Sequence, residues 1–171
     1  MRKPKPLLTE EEATRYAIRL LERRPYTVGG LCDKFRLRAL PSDIQQKVIQ
    51  RLTEKKLLND ETFAESFAHF KMGQNWGPSK IRLGLQKKKV PREIVERVLR
   101  ATSSPENESQ RAIELLDRQK QRFLRKKEKK KGQRLRQALE FLVRKGYPYG
   151  VARLAVQEVF GYNSGLLDDA D

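Results

Sequence analysis

Apolar residues recur along this chain at fixed distances from three prolines. Ahead of Pro91, Ile81 and Leu85 lie four apart on one helix face, and Val90 abuts the proline. Beyond it, Ile94, Val98 and Leu99 line a second helical face. The same offsets hold upstream for Leu31, Phe35, Leu40, Pro41, Ile44, Val48 and Ile49. They hold downstream for Ala138, Leu142, Tyr147, Pro148, Val151, Ala155 and Val156. The prolines are 50 and 57 residues apart. A proline pushes its predecessor out of the helical region yet tolerates the first turn of a new helix. Each stretch therefore predicts two helices meeting at a turn, repeated three times.

Each pair is preceded by another helical run. Thr9 and Glu12 form a capping-box pattern ahead of Ala13, Ala17, Leu20 and Leu21, and Arg24-Pro25 ends that run. Thr27 is placed to cap the next helix, with Tyr26 as a hydrophobic staple on Leu31. Fifty residues on, Trp76-Gly77-Pro78 repeats that arrangement, with Trp76 set over Ile81. Asn59 or Asp60 caps a helix holding Phe63, Ala64, Phe67, Ala68 and Phe70. Ile113, Leu116, Phe123 and Leu124 mark a longer helix after the turn-rich stretch 101–107. No sustained alternation of period two occurs, so strands are not expected.

The predicted fold is all-α: three tandem three-helix, helix-turn-helix-like repeats forming an elongated, curved rod. The expected boundaries are a mobile basic lead (1–8), repeats at 9–58, 59–103 and 104–161, and a disordered acidic tail (162–171).

Composition narrows the partners. Of 171 residues, 37% are hydrophobic and 35% charged, so each repeat has a thin core. The net charge of +16 makes nucleic acid, or a protein carrying it, the leading partner class, with a membrane surface as rival. One cysteine (Cys32) and one histidine (His69) make neither an internal disulfide, nor a zinc site, nor a Cys–His nucleophile. No metal or other cofactor is expected, and no catalytic set or phosphate-binding glycine loop is present, so an enzyme ranks last. No apolar run is long enough to span a bilayer, and the N-terminus lacks a signal-peptide core, so a soluble, cytoplasmic protein is expected; a monomer is expected as well.

Basic residues carry the functional signal. The repeat offsets align Arg38, Lys88 and Lys145, and beside them Leu37, Lys87 and Arg144, just before each turn. Helix C-termini favour cations by about 0.3–1 kcal/mol in any case. The cluster Lys87-Lys88-Lys89 exceeds what that effect requires. The candidate polyanion contacts are Arg38, Lys87, Lys88, Lys89, Arg144 and Lys145. A second set lies in the basic run: Arg125, Lys126, Lys129, Lys130 and Lys131. The helix after Pro91 has a mixed face of Arg92, Glu93, Glu96, Arg97 and Arg100, which suits packing better than base reading. Tyr26, Trp76 and Tyr149 are read as staple and core residues before base-stacking ones.

The run Leu57-Leu-Asn-Asp-Glu-Thr-Phe63-Ala64-Glu-Ser-Phe67, then Gly77-Pro78-Ser-Lys-Ile81, then Leu85 and Val90-Pro91, resembles the bacterial RecX proteins, regulators of the RecA recombinase. The resemblance implies an all-α tandem-repeat protein of the cytoplasm. It implies binding to RecA and to single- and double-stranded DNA, lodging in the groove of the RecA–DNA filament, and inhibition of ATPase and strand exchange. The family often carries glycine just before the hydrophobic residue and proline of the turn. Only Gly146 keeps it here, with Ala39 and Lys89 in the other repeats, so those two turns are expected to be shaped differently. The alternative is a general nucleic-acid-binding helical repeat protein without a RecA role.

Overall fold

The computed structural model describes residues 6–7, 9–125 and 131–161, and all regular structure among them is helical. Three trios follow in order: α1 (Glu10–Arg23), α2 (Val28–Arg36), α3 (Ser42–Glu54); α4 (Asp60–Gly73), α5 (Pro78–Lys87), α6 (Arg92–Thr102); α7 (Pro105–Leu124), α8 (Lys131–Lys145), α9 (Tyr149–Phe160). Pro41 and Pro148 occupy the cap position ahead of α3 and α9, and Pro91 stands in the same place before α6.

The repeat seen in the sequence is a repeat in burial. Leu31, Ile81 and Ala138 are fully buried, as are Phe35, Leu85 and Leu142. Leu40, Val90 and Tyr147, just before each proline, are buried too. Three residues past the proline, Ile44, Ile94 and Val151 are half-buried in all three trios. Fully burying each such leucine or phenylalanine contributes about 1.5–3 kcal/mol, so spacing alone accounts for much of the helix packing.

The chain divides into two compact units: Met1–Phe67 with Gly84–Val98, and Ala68–Leu83 with Leu99–Asp171. The division passes through α4, α5 and α6, so the middle trio contributes to both. The first unit centres on Ala13, Ala17, Leu31, Phe35, Val48, Leu52 and Leu58. The second centres on Ala112, Leu116, Leu135, Ala138, Leu142, Ala155 and Val156. Phe123 closes that second core, edge-on to Phe141 at 5.8 Å and to Phe160 at 6.5 Å.

Helix starts follow the cap chemistry. Thr9 accepts from the Glu12 N–H at 3.2 Å, and Thr27 from the Gly30 N–H at 2.9 Å. Asn59 accepts from both Glu61 and Thr62 N–H groups, at 2.9 and 3.1 Å, and so caps α4. Asp60 faces another helix: its carboxylate accepts from the Val28 N–H at 2.8 Å, capping α2. Leu7, within the basic lead, is buried in the first core, and its N–H donates to the Arg38 carbonyl at 2.9 Å. That end of the lead is anchored. Residues 1–5, 8 and the expected acidic tail 162–171 lie outside the described residues. Among the described residues no helix is long and apolar enough to cross a membrane.

Candidate nucleic-acid interface

The candidate contacts sit where the second helix of each trio ends, so the backbone there comes first. Ala39, Lys89 and Gly146 occupy matching positions with φ of 50°, 60° and 93°. The following N–H reaches back to the helix each time: Leu40 to Phe35 O (3.2 Å), Val90 to Leu85 O (3.2 Å), Tyr147 to Leu142 O (3.1 Å). This is the left-handed closing turn that satisfies a helix's last carbonyls. The expectation that Ala39 and Lys89 shape their turns differently from Gly146 is therefore overturned. Burial of the next residue and the returning hydrogen bond hold the left-handed conformation, although it costs a non-glycine residue about 1–2 kcal/mol. Lys56 and Asn75 end α3 and α4 with the same positive φ.

One residue earlier in each turn, the carbonyl is occupied. Arg38 O accepts from Leu7 N–H, Lys88 O from the Thr27 hydroxyl, and Lys145 O from Gly77 N–H at 2.7 Å. Ser79 N–H adds a bond to Gly146 O at 3.0 Å. The aligned series Arg38, Lys88, Lys145 is thus a series of backbone joints. In the first unit the start of α2 seats on the Lys88-Lys89 turn. In the second unit the start of α5 seats on the Lys145-Gly146 turn. The sequence patterning marked the positions but not this role, which belongs to main-chain atoms common to every residue.

The side chains divide accordingly. Lys87 and Lys88 are exposed, and neither is drawn onto an acid among the described residues. Lys89 is exposed but engaged: its Nζ lies 2.6 Å from Asp33 Oδ1, the oxygen that also receives Arg36 Nη1 at 2.6 Å. Those partners, Lys89 foremost, hold the Asp33 carboxyl below its ordinary range. Arg38 is half-buried, with its guanidinium 4.8 Å over the Tyr16 ring. Arg144 is exposed, and Lys145 is half-buried with Nζ 6.0 Å from the Phe141 ring centre. Of the second set, Arg125 is exposed beyond the end of α7, and Lys131 opens α8. Lys126, Lys129 and Lys130 lie outside the described residues.

Sequence reasoning missed a second cationic locus, at the corner between α4 and α5. The ammonium groups of Lys71 and Lys80 each lie 4.6 Å from the centre of the Trp76 ring. Arg111 Nη2 donates to Trp76 O at 2.9 Å, and Arg118 Nη2 to Asn75 Oδ1 at 3.0 Å. Phe70, expected among the apolar residues of its helix, is 62% exposed. It falls outside the stripe whose Ala64 and Ala68 are fully buried, and that misfit was the available signal. Among the described residues no group of histidine, cysteine and acids is arranged to hold a metal. The Cys32 thiol is half-buried, and burial raises its pKa, the opposite of what a reactive thiol needs.

Comparison with known proteins adds a lineage to this geometry. A family model described as RecX, second three-helix domain, matches residues 59–99. The chain is 33% identical over 155 residues to the regulatory protein RecX of Thermus thermophilus, covering 88% of this chain and 97% of that one. It is 31% identical over 146 residues to the regulatory protein RecX of Clostridium botulinum, covering 85% and 68%. The crystal structure of RecX from Lactobacillus salivarius has the same fold: TM-score 0.80 at 22% identity, over 90% of this chain and 97% of that one.

Proposed function

Since this chain belongs to the RecX family of regulatory proteins, we propose that it modulates a RecA recombinase, mainly as an inhibitor. It binds the RecA–DNA filament and DNA itself, in the cytoplasm, and interferes with ATP turnover and strand exchange during recombination and repair. The action is steric and electrostatic and needs no catalytic group.

The observation that carries this reading is the exposed pair Lys87 and Lys88, standing on a turn whose backbone is pinned through the Lys88 carbonyl. A fixed turn presents its two charges to phosphates with little further ordering, in a chain of net charge +16. Arg144, Lys145 and Arg38 extend the contact at the matching turns, while Lys89, held by Asp33, adds little to it. Arg125, Lys126, Lys129, Lys130 and Lys131 form the looser second set. Phosphate contacts of this kind position a protein without reading bases.

RecA ATPase on single-stranded DNA tests the reading. Saturating wild-type protein slows turnover. The Lys87→Glu/Lys88→Glu variant melts at the wild-type temperature and loses most of the inhibition. Unchanged RecA turnover with wild-type protein that still binds DNA contradicts the RecA role and leaves a general nucleic-acid-binding repeat protein.

A further inference from the structure

The α4–α5 corner lies wholly within the second compact unit. Asn75, with φ of 59°, ends α4 and turns the chain so that Trp76 follows immediately. Trp76 then stands between two helix ends that each contribute a lysine, Lys71 from α4 and Lys80 from α5. Both ammonium groups rest against the indole, and Lys71 is steadied further by Gln74 at 2.8 Å. Lys71 also reaches the Phe70 ring, at 5.1 Å. The guanidinium groups of Arg111 and Arg118, both on α7, hold the loop itself. Glu108, whose pKa burial raises, lies within electrostatic reach of Arg111. The result is a loop bonded to α7 with four cations around it, beside a phenyl ring left mostly in solvent.

A solvent-facing phenyl ring with one lysine against it, and a second lysine across the neighbouring indole, matches one ligand chemistry well. Bases offer flat apolar faces that stack on aromatic rings, and phosphates on either side seek ammonium groups. A duplex keeps its base faces inside the stack and presents only phosphates and groove edges to such a corner. We propose that the corner is a binding site for single-stranded nucleic acid, where a base stacks on Phe70 and Lys71 and Lys80 take the flanking phosphates. The indole keeps both ammonium groups in place before the strand arrives, so little side-chain freedom is lost on binding. The proposal rests on the reading that the chain binds DNA, and adds where the strand sits and why it must be single.

The chain has one tryptophan, so Trp76 fluorescence reports on the corner directly. Oligodeoxythymidylate, oligouridylate and a DNA duplex of equal length are titrated separately. Wild-type emission changes with both single strands, and the tighter of the two assigns the strand as DNA or RNA. Phe70→Leu, at a largely exposed position, keeps the melting temperature and weakens single-strand binding about tenfold, within the range for one stacked base. Its duplex affinity stays at the wild-type value. Replacing Lys71 and Lys80 by glutamine lowers the single-strand salt slope by about 0.7 for each lysine. Equal single-strand affinity for wild type and Phe70→Leu overturns the proposal, as does an equal loss on single strand and duplex. Tighter binding of an alternating Glu-Phe peptide than of either oligonucleotide overturns it in favour of a protein partner. Failure of the wild type to bind any nucleic acid overturns the underlying reading as well. Wild-type single-strand affinity together with full RecA inhibition in Phe70→Leu overturns the proposal and leaves that reading standing alone.

Discussion

The joint in the first compact unit and the joint in the second do the same job with differently placed glycines: on the helix side in the first, and on both the helix side (Gly77) and the turn side (Gly146) in the second. In the first, helix α2 supplies Gly29, and the turn supplies Lys89 at positive φ. A Cβ added to Gly29 would lie 2.4 Å from Lys89 Cβ. In the second, the turn supplies Gly146, and helix α5 brings a lysine, Lys80. A Cβ on Gly146 would lie 2.4 Å from Lys80 Cβ and 2.6 Å from its nitrogen. Close approach of helix start to turn is the invariant of the joint, and at each contact one partner lacks a Cβ: Gly29 against Lys89 in the first unit, Gly77 against the turn backbone and Gly146 against Lys80 in the second. The two units share a geometry that no single residue type announces.

The largest effect is expected from Gly146→Ala. The new methyl group meets backbone and Lys80 together, and φ of 93° is strained for alanine. A loss of about 3 kcal/mol is expected, combining overpacking with backbone strain. Thermal unfolding reads it as a fall in Tm of roughly 6–12 °C for a chain of this size.

Gly29→Ala is expected to cost less, about 2 kcal/mol, because only the contact with Lys89 is at fault. Moving the glycine across the joint, as Gly29→Ala with Lys89→Gly, removes the Cβ–Cβ contact and leaves a turn-side glycine like Gly146. Denaturant unfolding of the two single variants and the double variant should show a favourable coupling of at least about 1 kcal/mol. Simple additivity would show that Gly29 and Lys89 do not constrain each other.

The turns themselves come next. Ala39 carries φ of 50° with no glycine to ease it. Ala39→Gly is expected to stabilise the chain by about 1 kcal/mol, seen as a higher denaturant midpoint at unchanged m-value.

The smallest effect concerns Asp60, whose carboxyl caps α2 in the first unit. Burial raises its pKa above 3.8, against the lowering effect of the Val28 N–H bond. A carboxyl with a raised folded-state pKa contributes stability that is full below the unfolded value and is lost as pH rises through the folded one. Asp60→Asn keeps an acceptor for Val28 and removes that loss. Unfolding curves taken from pH 3 upward are expected to converge at the acid end, with the variant more stable by under about 1 kcal/mol at neutral pH.

What the sequence could and could not reveal follows from the same contrast. Helix positions and buried faces were legible because they depend on side-chain spacing, and Leu31, Ile81 and Ala138 are buried alike. The left-handed turns at Ala39 and Lys89 were not, since tertiary contacts there override a residue preference. The second bond of Thr27, from its hydroxyl to Lys88 O, is a long-range contact that local cap chemistry does not foretell. Lys89 read as one more phosphate contact, because its partner Asp33 is 56 residues away in sequence. The exposed Phe70 was hidden by counting it with the apolar residues of its helix.

The central claim is that turn side chains divide between gripping a polyanion and holding the joint. Salt dependence of DNA affinity tests it most directly, with Lys87→Gln/Lys88→Gln set against Lys89→Gln. On duplex DNA the double variant is expected to reduce the slope of log affinity against log salt by about 1.8, at unchanged Tm. Lys89→Gln is expected to reduce it by much less than about 0.9, since Asp33 already takes that charge. A slope left intact by the double variant, or a full 0.9 lost with Lys89→Gln alone, would contradict the account.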